Sequence, residues 1–202
     1  MTPKAKKDFL LAGIGGQGII LTSDLLAEVG LAAGYDVKKS EVHGMAQRGG
    51  SVETHVRWTE KVHSPLVEPG RVDYLVGFEM LEAARWAHFL GPGSKALVNR
   101  YRVYPPAVNL GEARYPEPEE VEDLLKTRGA EVRWAEASEV AIGLGNPALA
   151  GTVLLGLLSL QLGVPEEVWL EVIARRVPER FVELNQQAFL VGRGMSAPRI
   201  GA

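Results

Sequence analysis

The sequence predicts an α/β fold in three layers, with a mostly parallel sheet, helices on both of its faces and further helices at the C-terminus. Strand candidates are separated by helical segments along most of the chain, and no internal repeat occurs. Phe9 to Ala12 and Val72 to Phe78 are almost continuously apolar, which is typical of strands buried on both faces. After Asn146 only helical patterns follow. Together these observations predict a Rossmann-like sheet followed by C-terminal helices.

The individual elements follow from apolar periodicity and from glycine and proline signals. Strands are predicted over Phe9 to Ala12, Tyr35 to Ser40, Ser51 to Trp58, Val72 to Phe78, Lys95 to Val98 and Glu131 to Trp134. Helices are predicted over Ile19 to Ala33, Glu79 to Leu90, Pro118 to Arg128, Pro147 to Leu162, Glu166 to Arg176 and Pro178 to Gly192. Gly91-Pro92-Gly93 is predicted to end the second helix. We expect a single domain over residues 1–192 and a flexible tail over 193–202.

The segment Ser51 to Trp58 alternates between polar and apolar residues, as a half-buried strand does. Val52, Val56 and Trp58 point to one face, so this face is predicted to lie in the core. The other face carries Glu53, His55 and Arg57 and is predicted to be exposed to solvent. We therefore expect His55 to be a surface residue and not a ligand.

The helix after Asn146 is apolar nearly all round, which predicts that it is buried. Ala148, Thr152, Gly156 and Ser159 form a stripe of small residues at helical spacing. Such a stripe lets another element approach closely. Packing inside the core is the favoured explanation, and a subunit interface is the alternative.

Composition excludes several classes of function. The chain has a net charge of -3 and no long basic cluster, so a nucleic-acid surface is not expected. It contains no cysteine, which excludes disulfides, thiolate nucleophiles and cysteine-ligated iron–sulfur clusters on this chain. Its four histidines are scattered, and no metal site or catalytic residue is predicted. The basic N-terminus resembles a secretory signal, but Asp8, Gln17 and several glycines interrupt the apolar stretch, and no run could span a bilayer. We expect a cytoplasmic protein.

The glycine run between the first strand and the first helix is the first candidate site. It consists of Gly13, Ile14, Gly15, Gly16, Gln17 and Gly18. The free amide groups of a helix N-terminus favour an anion above such a turn. The pattern also matches a dinucleotide fingerprint, for which Glu41 at the end of the second strand is a candidate ribose ligand. As a further alternative, the glycines only permit close packing of the helix on the strand. A P-loop is excluded, because no Gly-Lys-Ser/Thr follows.

The polar segment from Glu41 to Gly50 is the second candidate site. It contains His43, Gln47, Arg48 and Gly49 and is interpreted as a functional loop, with a solvated connection as the alternative. Asn99 follows a later strand. Ligands of open parallel sheets bind beyond the carboxyl ends of the strands, so we expect these segments and the glycine run to meet at one edge. Arg48 near the helix N-terminus would favour a carboxylate or phosphate.

The glycine run and the segment from Glu41 to Val52, with His55-Val56-Arg57, strongly resemble the gamma-type subunits of 2-oxoacid:ferredoxin oxidoreductases. Within that family the resemblance is greatest to the beta subunits of indolepyruvate ferredoxin oxidoreductases. Asn146 with the following helix, and Asn185 to Gly192, also resemble the family. The resemblance extends over almost the whole chain.

The resemblance implies a complex that decarboxylates a 2-oxoacid such as indolepyruvate, pyruvate or a branched-chain acid on thiamine diphosphate. Electrons pass through iron–sulfur clusters to ferredoxin, and the acyl group passes to coenzyme A. Thiamine diphosphate, Mg²⁺ and the clusters are then expected on partner subunits, because this chain has no Gly-Asp-Gly thiamine motif and no cysteine. The isolated chain is expected to be inactive.

The resemblance also assigns roles to the two candidate sites. An anion, with coenzyme A as a candidate, is expected at Gly13, Gly15, Gly16, Gln17, Gly18 and Asn99. The surface that faces the thiamine-bearing subunit is expected to comprise Glu41, His43, Gln47, Arg48, Gly49 and Gly50. Three alternatives stay open: a free-standing NAD(P)-dependent oxidoreductase, a purely structural docking subunit, and a homodimer as an additional assembly.

Overall fold

The computed structural model describes residues 5–43 and 49–195. The strands form one sheet in the order β2-β3-β1-β4-β5-β6. Their bounds are β1 Lys7–Ile14, β2 Asp36–His43, β3 Ser51–Thr59, β4 Val72–Gly77, β5 Leu90–Asn99 and β6 Glu131–Ala135. The helices are α1 Ile19–Ala32, α2 Met80–Arg85, α3 Pro106–Asn109, α4 Pro118–Thr127, α5 Ala137–Gly143, α6 Ala150–Ser159, α7 Glu166–Arg176 and α8 Val182–Gly194. Short 3₁₀ turns precede β5, α6 and α8. The predicted α/β class is confirmed.

The sheet combines a parallel part with one antiparallel hairpin. β1, β4, β5 and β6 pair in parallel, whereas β3 is antiparallel to both β1 and β2. As a result, β2 and β1 run in the same direction although β3 separates them. Their carboxyl ends therefore lie at the same edge of the sheet.

The two faces of the sheet carry separate hydrophobic cores. The first face is covered by α1 and the C-terminal helices, and its core contains Trp58, Trp169 and Phe189. The second face is covered by α2 and α4, and its core contains Met80 and Trp134. Helices therefore lie on both sides of the sheet, as predicted.

The buried helix α6 confirms the packing interpretation of the small-residue stripe. All of its residues are buried, including Thr152, Gly156 and Ser159, while Ala148 lies exposed ahead of the helix. A Cβ on Gly156 would lie 2.2 Å from the carbonyl oxygen of Phe189, so α8 crosses α6 at backbone contact. The stripe of small residues therefore packs against α8 of the same chain.

Two elements differ from the prediction around Gly91-Pro92-Gly93. The second helix ends already at Arg85, and the glycines belong to the start of β5. A Cβ on Gly91 would lie 2.4 Å from the carbonyl oxygen of Gly70, so this glycine permits one backbone to pass close to another. Gly91 therefore allows the backbone of β5 to lie close to that of Gly70 and does not end a helix.

The prediction of an exposed polar face on β3 is wrong. His55 is only 2% exposed, and its Nδ1 accepts a hydrogen bond from the amide of Val67 at 3.2 Å. Arg57 binds the buried carboxylate of Asp8, with Nε 2.8 Å from Oδ1. The loop over 60–71 folds back over this half of β3, so polar residues face protein and not water.

Other differences concern element bounds. β2 extends through Glu41 to His43, which the sequence reading placed in a loop, and α5 was not predicted. Arg193 and Gly194 end α8, and residues 196–202 lie outside the described residues, so the division into domain and tail stays a prediction. Within residues 5–43 and 49–195, no helix is both long and apolar enough to cross a membrane.

Candidate functional site

The glycine turn between β1 and α1 presents backbone amide groups to the carboxyl edge. Gly16 has φ 104° and Gly18 has φ 80°, conformations that side-chain-bearing residues rarely adopt. Gly18 caps α1 without a side-chain hydrogen bond. The amides of Ile19 and Ile20 donate to no described residue, as expected for the first turn of a helix. No described atom lies within 4 Å of a Cβ built on Gly16, so the turn is open on this side.

Gly13 and Gln17 have different functions in this turn. A Cβ on Gly13 would lie 2.7 Å from Cβ of Phe78, so this glycine serves close packing. The Oε1 atom of Gln17 accepts a hydrogen bond from the amide of Ile14 at 2.7 Å. Its Nε2 group donates to none of the described residues and is available to a ligand. The packing explanation therefore holds for Gly13, while Gly16 and Gly18 shape an open turn.

The turn is bonded directly to the β2–β3 hairpin. The amide of Gly15 donates to the carbonyl oxygen of Gly50 at 2.9 Å, and the amide of Gly49 donates to that of Gly15 at 3.4 Å. The two candidate segments thus meet at one edge, as the sequence predicts for Gly49 and Gly50. Gln47 and Arg48 lie outside the described residues, as does the side chain of His43.

A cleft of about 220 Å³ opens beside the turn. It is lined by Gly16, Gln17, Phe78, Asn99, Tyr101, Ser138, Ile142, Pro147, Ala148 and Ala150. Here α1 leaves β1 toward the first face, while α2 leaves the neighbouring β4 toward the second face. This change of side is the position at which open α/β sheets bind ligands.

Asn99 connects the segments that form the bottom of the cleft through its side-chain hydrogen bonds. It is 1% exposed, and its Nδ2 donates to the carbonyl oxygen of Phe78 at 3.0 Å and to Oγ of Ser138 at 2.8 Å. Its Oδ1 accepts from the amide of Ser138 at 3.2 Å. Both amide protons are used inside the chain, so the side chain ties β4, β5 and α5 together. A direct ligand contact by Asn99 stays a prediction, and the geometry gives it no free donor.

Glu41 does not occupy the position of a dinucleotide-binding acid. That acid follows the strand next to the first one, but here β3 lies between β1 and β2. Glu41 also forms an ion pair with Lys39, which in turn contacts Asp24 of α1. The geometry therefore disfavours the NAD(P) alternative.

The sequence-based prediction did not identify Glu79, which lies two residues beyond the end of β4 and caps α2. Its carboxylate accepts hydrogen bonds from the amide of Val103 at 3.0 Å and that of Glu82 at 2.9 Å, and from the hydroxyl of Tyr115. Burial raises the pKa of Glu79 to about 7. The amide of Met80 also donates to the carbonyl oxygen of Tyr101 at 3.1 Å. Glu79 thus fixes the long segment after β5, part of which lines the cleft.

The family follows from a comparison with known proteins. Residues 8–195 match the family described as pyruvate ferredoxin/flavodoxin oxidoreductase. The chain belongs to this family. It is 36% identical over 188 residues to indolepyruvate oxidoreductase subunit IorB of Thermococcus kodakarensis, covering 92% of this chain and 93% of that relative. The subunit of the same name from Archaeoglobus fulgidus is also 36% identical, over 189 residues. The resemblance to gamma-type subunits is confirmed, and the chain is an oxidoreductase subunit of this class.

Solved structures share the fold. Pyruvate oxidoreductase subunit PORC of Thermotoga maritima has a TM-score of 0.72 at 20% identity, covering 95% of this chain and 97% of that one. A chain of 2-oxoglutarate:ferredoxin oxidoreductase from Magnetococcus marinus, described with 2-oxoglutarate, coenzyme A and succinyl-CoA bound, also has a TM-score of 0.72. The identity is 22%, and the match covers 95% of this chain but 31% of that longer one. The present fold thus occurs both as a separate subunit and within a longer chain.

Proposed function

We propose that this family member is the subunit of an indolepyruvate:ferredoxin oxidoreductase that binds coenzyme A in the cleft beside the glycine turn. Relatives that match over nearly their whole length are named as indolepyruvate oxidoreductase subunits. The overall reaction converts a 2-oxoacid, coenzyme A and oxidised ferredoxin into an acyl-CoA, carbon dioxide, reduced ferredoxin and a proton. In this proposal, thiamine diphosphate, Mg²⁺ and the iron–sulfur clusters are bound by partner subunits. The assembled complex is proposed to be cytoplasmic.

One observation carries the assignment: the glycine turn, the hairpin and the cleft form a continuous edge, joined by the hydrogen bond between Gly15 and Gly50. Coenzyme A carries phosphate groups, which the N-terminus of a helix binds through its amides and dipole. The free amide of Gln17 adds a donor at the same place. This chain accordingly orients the thiol-bearing substrate, while the hairpin contacts the subunit on which the acyl group forms.

Gln17→Glu tests the ligand half of the proposal. The glutamate still accepts from the amide of Ile14, but it replaces an NH₂ donor by a negative charge that repels phosphate. In the complex reconstituted with its thiamine-bearing subunit, the KM for coenzyme A should rise about tenfold or more, which corresponds to about 1.4 kcal/mol or more.

The matched control for this experiment is Gln161→Glu, because Gln161 accepts a hydrogen bond from Lys95 at the opposite edge of the sheet. This control should keep the KM of the wild type. An unchanged KM for coenzyme A in Gln17→Glu would remove the cleft from the proposal.

Arg48→Ala tests the partner-facing half. We expect slower acyl-CoA formation in the reconstituted complex and an unchanged unfolding temperature of the isolated chain. Unchanged turnover together with unchanged assembly would exclude this role of Arg48. If Arg48 and Gln17 variants instead weaken assembly and catalysis in strict proportion, the chain is a structural docking subunit without a ligand site.

A further inference from the structure

Glu53 is a buried carboxylate on the second face of the sheet, within the β2–β3 hairpin. It lies on β3 between Ala12 of β1 and Val42 of β2. Alternation along β3 places it on the same face as His55 and Ser51, and the hydroxyl of Ser51 donates to Glu82 of α2. The residue is 8% exposed, and burial and the charge of Glu82 act on its carboxylate without a hydrogen bond or ion pair from the described residues. A buried charge without a partner is costly, so this carboxylate lacks a complement.

The neighbouring groups do not supply that complement. Glu82 of α2 faces Glu53 and carries the same charge. One oxygen of Glu82 accepts from the hydroxyl of Ser51, and the other lies 3.4 Å from Nε of Arg85. Arg85 is therefore directed to Glu82, and Glu53 is left unpaired among the described residues.

An approach from outside exists at the edge of the sheet. Val42, which pairs with Glu53, is 44% exposed. Lys38 lies on the same face of β2, four residues before Val42, and is exposed as well. Among the described residues, β2 is thus exposed to solvent at both positions on the second face, and Val42 lies directly beside Glu53.

We propose that Glu53 receives a basic side chain, an arginine or lysine of the thiamine-bearing partner subunit, that enters beside Val42 when the complex assembles. This inference rests on the proposed function and specifies how the partner is recognised. A basic side chain fits better than a metal ion, because within residues 5–43 and 49–195 no three acidic or histidine side chains are arranged to hold a metal. A charge-assisted bond at a buried position contributes more than one on an exposed rim.

The protonation state of Glu53 reports whether a basic side chain of the partner subunit has bound to it. Burial, followed by the charge of Glu82, raises the pKa of Glu53 to about 7. Glu82 of α2 is the charged group that acts on Glu53. Arg85 of α2, His55 of β3 and Lys38 of β2 lie on the same side of the sheet, and Glu79 caps α2. In the free chain the carboxyl group is therefore partly protonated at neutral pH, and an arriving cation should expel that proton.

The test begins with the isolated chain. A titration of ¹³C-labelled glutamate side chains by NMR, with Glu53→Gln for assignment, should show Glu53 titrating near pH 7. Titration below pH 5 would overturn the inference, because a cation of this chain would then already be bound. The unfolding temperature of Glu53→Gln verifies that the variant folds.

Calorimetry of complex formation gives the second measurement. Association at pH 7 in two buffers of different ionisation enthalpy should release protons for the wild type and fewer for Glu53→Gln, whose Kd should rise about tenfold. Glu131→Gln at an exposed strand position is the matched control and should behave as the wild type.

The outcomes separate this inference from the function on which it rests. Equal proton release and equal affinity in Glu53→Gln would overturn the cation site and leave the complex intact. If the wild-type chain does not associate at all, the proposed function fails together with the inference.

Discussion

Glycine has different functions in the glycine turn and in the contact between α6 and α8. At the helix contact, a Cβ on Gly192 would lie 2.1 Å from the carbonyl oxygen of Val153, so there is no room for a side chain. At the turn, no atom of the described residues lies near a Cβ built on Gly16, and glycine is required there by the backbone angle. Gly192 therefore serves packing, whereas Gly16 leaves backbone beside the cleft accessible to a ligand.

The largest expected effect is the loss of stability on replacing Gly192 by alanine. The methyl group would collide with backbone that cannot rotate away, and overpacking of this kind costs about 3 kcal/mol. Chemical denaturation of the isolated chain measures the change. Gly194→Ala in the same helix is the control, since its Cβ would meet no atom of residues 5–43 and 49–195 within 4 Å. Equal stability of the two variants would contradict the distinction.

Asn99→Ala should have the next largest effect and shows how the cleft itself is held. The substitution leaves the carbonyl oxygen of Phe78 and the amide of Ser138 without their partners, at a cost of about 2 kcal/mol. Asn109→Ala should cost far less, because the side chain of Asn109 is exposed and, within the described part of the chain, bonds only the carbonyl oxygen of Tyr104. A neutral Asn99→Ala would mean that Asn99 does not hold together the segments at the bottom of the cleft.

Gly16→Ala should be milder in stability but selective in function. The positive φ costs about 1–2 kcal/mol for a residue with a Cβ. Gly93→Ala carries the same type of strain, with φ 84° and open space, but lies away from the cleft. Both variants should therefore lose similar stability, and only Gly16→Ala should raise the KM for coenzyme A. Equal kinetic behaviour would show that accessible backbone at the turn has no part in binding.

The smallest expected effect concerns pH and Glu79. Its pKa is raised from 4.5 to about 7, chiefly by burial, so the folded chain holds this proton more tightly than the unfolded chain. Its contribution to stability is full below pH 4.5 and is lost as the pH rises through 7. Urea denaturation at pH 5 and pH 8 should show a smaller decline for Glu79→Gln than for the wild type. An identical decline would exclude this source of pH dependence.

Sequence patterns predicted the elements that depend on local chemistry. Continuous apolarity identified α6, and Pro118 with the surrounding acids identified α4, where Glu117 and Glu120 form a reciprocal cap. The shared edge of the glycine turn with Gly49 and Gly50 also followed from strand directions. These features depend on neighbours in sequence or on the general rule for parallel sheets.

The features that escaped prediction depend on segments distant in sequence. Alternation along β3 shows which residues share a face, but not that the loop over 60–71 covers His55. Nothing in the pattern places β3 between β1 and β2, which removes Glu41 from the dinucleotide position. Acids such as Glu53 and Glu79 look solvated in sequence because burial is decided by what packs above them. The position of Glu79 two residues after a buried strand was the one available signal.

The bond between Gly15 and Gly50 joins main-chain atoms alone, and this has a consequence for divergence within the family. Side chains on the hairpin can change without touching either the donor or the acceptor. Relatives that share few identical residues can thus conserve the attachment of the hairpin to the turn while the side chains that contact a different partner subunit change. The side chains that determine specificity for a partner subunit can therefore diverge without a change in the geometry of the glycine turn.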